Sequence, residues 1–216
     1  MLPPAGAAAG CGVRSTTCPG CWKRPAGSPG RPGNASPASP PTGQPDGWSL
    51  HDGDARPIAK GRLGKPVEFG YKGQVVDNDD GVVLDHTVHQ DNPPDAPQLA
   101  PAVERVITCT GRKPRTVTAD RGYGEASVDE ALSDLGVRTV VIPRKGRPGK
   151  ARQVAEHRPA FRRTVKWRTG CEGRISSLKR GYGWDRARLD TLEGARIWTG
   201  QGIFTHNLIE IGLLAD

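Results

Sequence analysis

Regular alternation and periodicity of apolar positions begin only after Leu50. In "EFGYKGQVVDNDDGVVLDHTV", Glu68 to Val76 and Val82 to Val88 read as two strands, and the Asn-Asp-Asp-Gly between them is a hairpin turn. In "DAPQLAPAVERVITCTG" the apolar residues Leu99, Val103, Val106 and Ile107 recur at helical spacing, and Gly111 supplies a stop. "RTVTAD" predicts a short strand whose last residue is Asp120. "ASVDEALSDLG" follows as a helix, with Ser127 and Glu130 at the spacing of a capping box and Gly136 as its stop. "VRTVVIP" is another strand, so Thr116 to Pro143 forms a βαβ unit with parallel strands and a right-handed crossover. The basic stretch Arg144 to Gln153 reads as a loop. Helices are then expected around His157 to Lys166, Gly170 to Arg180 and Gly194 to Leu214. The last carries Ile197, Trp198, Phe204, Leu208, Ile209 and Ile211, an apolar surface able to dock on a sheet. Hairpin, helix, strand, helix, strand, helices: this order predicts an α/β fold, a mixed sheet with helices packed on it.

The first 48 residues are different. Prolines recur at Pro3, Pro4, Pro19, Pro25, Pro29, Pro32, Pro37, Pro40, Pro41 and Pro45, and large aliphatic residues are almost absent. Proline interrupts helices and central strands, and a segment with so little to bury is expected to be disordered. Its composition is also what out-of-frame translation of GC-rich DNA gives. The chain thus divides into a Pro/Gly-rich segment, residues 1–48, and a folded part, residues 49–216.

Charge narrows the partners. Against 23 Asp and Glu stand 31 Lys and Arg, a formal net charge of +8 over 216 residues, which suits a polyanion and above all nucleic acid. No apolar run approaches the roughly 20 residues of a spanning helix, so no membrane partner is expected. The start, "MLPPAGAAAG", lacks the basic n-region of a signal peptide, which points to the cytoplasm. Five cysteines are an odd number and argue against a disulfide framework. Cys18 and Cys21 form a CxxC with Cys11 nearby, but a tetrahedral zinc needs a fourth ligand, and the next histidine is His51.

Two carboxylates stand out. Asp120 closes a strand, where α/β folds place working groups, and the following "RGYG" supplies glycines that permit a sharp turn and close approach of a phosphate or metal. The plain alternative is that Asp120 starts a turn. Glu172 lies in "WRTGCEGRISSLKRGYGWDR", amid arginines, lysines and glycines. On one helix Arg168, Glu172 and Lys179 would share a face, the carboxylate serving a divalent metal and the cations a DNA backbone. Gly170 counts against one long helix here and puts a helix start near Cys171. The plain alternative is a solvated basic helix with Glu172 easing repulsion.

These motifs resemble the DDE transposases of bacterial insertion sequences, whose catalytic domain is ribonuclease-H-like. The family signature Y(x2)R(x3)E(x6)K is matched by Arg168, Glu172 and Lys179, with Val165 in place of the tyrosine. "VTADRGYGEA" around Asp120 is similar to the segment carrying the second carboxylate, and "FGYKGQVVDNDDGVVLDHTVHQDNPPDAPQL" to the preceding hairpin. The likeness runs from about Ser49 to the C-terminus. It implies metal-dependent cleavage and transfer of DNA strands, with three carboxylates around two Mg2+ (or Mn2+) ions and DNA, the insertion-sequence ends, as substrate. Asp120 and Glu172 would be catalytic and metal-binding, Lys179 and Arg168 would position the DNA end, and Arg144, Lys145 and Arg147, with Lys150, would clamp its backbone.

The family's first aspartate lies on the first strand of the sheet, upstream of the hairpin. No stretch upstream of Glu68 runs apolar as a core strand should. Asp52 and Asp54 in "HDGDAR" lie in a connecting segment, and Asp85 reads as structural. The expectation is therefore an incomplete domain without its first strand or first aspartate, in which two carboxylates bind Mg2+ weakly and an exposed sheet edge favours a homo-oligomer. Three functions stay open: a transposase completed by another polypeptide, a non-catalytic DNA-binding fragment competing with intact transposase, and a zinc-bearing nucleic-acid module on Cys11, Cys18 and Cys21.

Overall fold

The computed structural model describes residues 10–19, 49, 51–62, 65–170 and 172–215; for 10–19, 60–62, 65–66, 169–170 and 172 it gives the course of the chain alone. The strands are β1 (Gly10–Pro19), β2 (Arg56–Arg62), β3 (Lys65–Asn78), β4 (Val83–His89), β5 (Thr116–Ala119) and β6 (Thr139–Val141). The helices are α1 (Ala96–Thr110), α2 (Ala126–Asp134), α3 (Lys150–His157), α4 (Pro159–Gly170), α5 (Glu172–Gly181) and α6 (Thr191–Ala215). One sheet runs β2-β3-β1-β5-β6, with β4 also paired to β3. β1 is antiparallel to β3 and parallel to β5, and β5 is parallel to β6.

The expected hairpin forms, with β3 and β4 paired from Lys72↔His89 to Asp77↔Val83. Its turn is held by Asn78, whose Oδ1 accepts from the backbone N–H groups of Asp80 and Val82 at 3.1 and 2.9 Å. Gly81 takes φ +90°, which only glycine adopts without strain. Helix α1 ends at Gly111 in the left-handed conformation, as its sequence requires. The βαβ unit is present, but its capping box is not: Glu125 occupies the N-cap of α2 and makes no side-chain cap. Lys150 onward, read as loop, begins α3 after Gly149.

The mixed sheet with flanking helices is as expected; the missing first strand is not. Gly10–Pro19 supplies a ten-residue strand between β3 and β5. The prolines that argued against it lie at its last residue and outside it, and the segment between carries the β-branched Val13, Thr16 and Thr17. Residues 1–9 and 20–48 of the N-terminal segment lie outside those described.

Alternation along β3 feeds two cores. Val76 joins Leu99, Val103, Val117, Tyr123 and Leu132 under α1 and α2. Val75 joins Leu178, Trp184 and Ile203 under α5 and α6. Helix α6 docks through its small residues Gly194, Ala195, Thr199 and Gly202, with Ile203 and His206, against β4 and the α5 end. That reverses the sequence expectation. Ile197, Phe204, Leu208, Ile209 and Ile211 face outward, because close approach of a helix needs small side chains and the large ones are left on the far side.

His86 on β4 sits beneath α6, its ring 3.6 Å from where a side chain on Gly200 would begin. Burial lowers its pKa below the usual histidine value, with Arg105 acting the same way and Asp85 opposing. Burial likewise lowers that of His89, aided by Lys72, Arg105 and Arg196. As pH falls through about 6.5 the unfolded chain takes up protons that the folded chain does not, so stability drops on the acid side. Urea unfolding midpoints should therefore fall from about pH 7.5 to pH 5.5, and the fall should shrink in His86→Gln.

Candidate functional site

Asp120 follows β5 directly, in extended conformation, and the chain then turns through a single 3-10 turn, Arg121–Tyr123. Tyr123 is fully buried, and its hydroxyl accepts from Gln74 Nε2 at 3.3 Å, which ties the turn to β3. The glycines of "RGYG" serve packing. A side chain on Gly124 would overlap the Pro143 carbonyl and lie 2.9 Å from Lys145 N, and one on Gly122 would lie 2.8 Å from the Asp95 carboxylate. Arg121 donates to the carbonyls of Arg144 and Gly146 at 3.0 and 2.8 Å, so the turn and the 143–146 loop hold each other.

Arg168 comes to Asp120 from α4, which lies against β5 and β6, and its Nη1 pairs with Asp120 Oδ1. The Arg168 side chain is 11% exposed and the Asp120 side chain 39%. Arg168 lies in α4, and Glu172 and Lys179 lie in α5. Glu172 opens α5, and its side chain lies outside the described residues, as does all of Cys171. Arg174 fastens α5 to the hairpin by pairing with the buried Asp77 and lies 5.9 Å from the Trp167 ring centre.

The strand register sets what stands beside Asp120 on β1. Val13 pairs with Ala119, so Arg14 is the neighbour at the level of Asp120. Arg14 also pairs with Val75, whose side chain faces α5 and α6, and position 14 therefore lies on that same sheet face. The residue at this register position on β1 is thus an arginine and no carboxylate.

The remaining acids are committed elsewhere. Asp52 accepts from the Tyr71 hydroxyl at 2.6 Å and from Thr191 N, and Asp54 accepts from Leu192 N at 3.0 Å. Together they cap the N-terminus of α6, a role for "HDGD" that the sequence did not reveal. Burial and then the bond to Asp52 hold the Tyr71 hydroxyl well above the usual tyrosine pKa. Asp85 binds Arg105 through two oxygens, the structural role expected of it. Among the described residues no three His, Cys, Asp or Glu side chains assemble as a metal site.

Of the expected DNA clamp, Arg144 is engaged: it pairs with Asp129 at 2.8 Å while its backbone N–H donates to Glu156. Lys145 is exposed and 3.4 Å from Glu125, and Arg147 is exposed. A cleft of about 230 Å³ beside the turn is lined by Lys72, Asp95, Gly122, Glu125 and Lys145, whose charges pair with one another. A second groove, about 520 Å³, lies at the opposite end of α5 from Glu172. Cys11 and Cys18 are seven residues apart on one strand, about 23 Å at the usual rise, and cannot share a zinc ion; Cys21 is outside the described residues.

The sequence profile described as Transposase DDE domain matches residues 41–208. The chain belongs to that family. No curated protein and no solved structure matches it. The family match begins after β1, so the placement of Arg14 rests on strand register and owes nothing to the match.

A two-ion site of the kind used for phosphodiester displacement needs several converging carboxylates. Among the described residues Asp120 is paired with a guanidinium, and the β1 position beside it in register is an arginine. The donors that the described residues of this transposase-family chain offer do not fit that site. Gly124→Ala should lower the melting temperature measurably, by the several degrees that an overpacking cost of about 1–3 kcal/mol produces. A melt matching the wild type would show that the Pro143–Lys145 loop yields freely.

Proposed function

We propose that this chain acts in transposition by binding insertion-sequence DNA without cutting it, competing with intact transposase for the ends. Family membership supports a role in transposition. The observation that carries the non-catalytic reading is the ion pair of Arg168 with Asp120, at a site whose neighbouring β1 position is Arg14. The net charge of +8, with exposed Lys145 and Arg147 on the loop beside Asp120, favours contact with a phosphate backbone. Residues 49–216 are then the DNA-handling domain together with β1, acting in the cytoplasm. Among the described residues no helix is long and apolar enough to cross a membrane.

The second reading is strand cleavage with Mg2+ or Mn2+, in which another polypeptide supplies the absent carboxylate; retention of both Asp120 and Glu172 favours it. Nicking of supercoiled DNA by the purified chain separates the two. Binding that weakens steeply with salt, persists in EDTA and gives no nicks with either ion is expected. Metal-dependent nicking that disappears in Asp120→Ala and Glu172→Ala would establish cleavage instead.

The outward face of α6 adds a second copy as partner. Ile197, Phe204, Leu208 and Ile211 follow one another at steps of seven, four and three, a seam suited to pairing with an identical helix. With Leu214 they offer about 500–600 Å² per copy, near the lower bound of a stable interface. Light scattering of the eluting protein should give a dimer, and Phe204→Glu combined with Leu208→Lys should give a folded monomer. A monomeric wild-type chain at tens of micromolar would end this assignment.

A further inference from the structure

We infer that the outward face of α4 is the surface on which this chain carries the backbone of a DNA duplex, with Arg158, Arg162, Arg163 and Lys166 as its phosphate contacts. This deepens the DNA-binding reading above and rests on it.

Positive charge is not spread evenly along the chain. From Arg144 to Arg168 stand ten Lys and Arg against one acid, Glu156, a net of +9, while the remaining residues, with 21 against 22, sum to −1. The +8 of the whole chain therefore resides in one segment, the 144–149 loop with α3 and α4. The fold pairs part of it. Arg144 and Arg152 meet Asp129, Arg152 also meets Glu156, Lys145 lies 3.4 Å from Glu125, and Arg168 pairs with Asp120. Among the described residues Arg158, Arg162, Arg163 and Lys166 form no ion pair, and all four are exposed.

Helix periodicity brings these four together. Phe161, Thr164, Val165 and Arg168 share the half-buried side of α4, which lies against β5 and β6. Arg162, Arg163 and Lys166 recur at helical spacing on the other side, away from the Asp120 turn. Arg158 stands at the start of α4, its carbonyl accepting from Arg162 N at 3.1 Å. Like charges four residues apart destabilise a helix. On α6 and α1, by contrast, Arg196 lies 3.6 Å from Glu193 and Arg105 pairs with Asp85. A face that bears such repulsion without an internal acid is matched by an anion from outside. No large apolar side chain is exposed on α4, so the face gives a membrane or an apolar protein partner nothing to bury. A hydrated polyanion of regular spacing suits it. Arg158, Arg162 and Lys166 advance about 6 Å per step along the helix, and each strand of a duplex advances one phosphate per about 3.4 Å of axis, so successive cations can meet alternate phosphates.

The probe is a fluorescein-labelled DNA duplex of generic sequence, titrated with the full chain at a series of salt concentrations in EDTA. The combined variant Arg158→Gln, Arg162→Gln, Arg163→Gln and Lys166→Gln should weaken binding and lower the slope of log affinity against log salt by up to about 3.6, the share of four phosphate contacts. The combination Arg112→Gln, Lys113→Gln, Arg115→Gln and Arg138→Gln removes the same charge from exposed positions ahead of β5 and β6, and should change the slope by less than about 1. Thermal melts should show the α4 variant as stable as the wild type, since it loses exposed side chains that repel one another. Equal losses in the two fourfold variants would show that total charge alone matters and overturn the inference, as would a folded α4 variant that binds like the wild type. Should that variant not fold, Arg162→Gln and Lys166→Gln decide singly: each should lower the slope by about 0.9, and unchanged slopes overturn the inference. Tighter binding of a duplex RNA of the same length would give the face to RNA and overturn its assignment to DNA. Absence of any DNA binding by the wild type would instead remove the underlying function.

Discussion

Backbone pairing along β3 is the constraint on which the rest of the molecule depends. One edge of this fourteen-residue strand carries β1 from Gly70 to Asn78, and the other carries β2 and then β4. A strand so enclosed cannot slip by one residue without sending Val75 and Val76 into each other's cores and undoing both. Its register fixes β1, β1 fixes β5, and β5 delivers Asp120. The position of Arg14 beside Asp120 is thus set by the hydrophobic alternation of a strand that contains neither residue.

What could be read from the chain followed from local signals. The hairpin, α1 and the βαβ unit each have apolar positions at a clear period and a glycine where the backbone must turn, so they appear where the pattern put them. β1 lacks that signal. It has a single large aliphatic residue, Val13, among glycine, serine, threonine and cysteine, and it lies in a proline-rich stretch, so its pairing is decided by β3 and β5 on either side. α6 has too much signal: its large apolar residues outnumber the small ones that dock it, and the small ones carry the packing.

At the site, Asp120 could be read as the end of a strand and Arg168 as part of a spaced motif. Their relation could not. The ion pair of Arg168 with Asp120 spans 48 residues, and the bonds from Asp52 and Asp54 to the start of α6 span 139 and 138. Such partners are chosen by the fold, and each acid that the fold enlists for a cap or an ion pair is withdrawn from the pool available for chemistry. The same holds for Arg144, which by composition belongs to a basic loop and by structure belongs to Asp129.

In the proposed reading, the difference between a bound dication and a guanidinium separates binding from catalysis. Both attract a phosphate and both hold it at hydrogen-bonding distance. A dication in addition acidifies a coordinated water or hydroxyl and neutralises the leaving oxygen, whereas a guanidinium, protonated at every accessible pH, can neither activate a nucleophile by coordination nor take up its proton. A site that offers a phosphate guanidinium groups alone can bind a DNA backbone and cannot carry out the displacement at phosphorus. Asp120 has a role unrelated to metal: its pair with Arg168, a largely buried cation, 11% exposed, joins the end of β5 to α4.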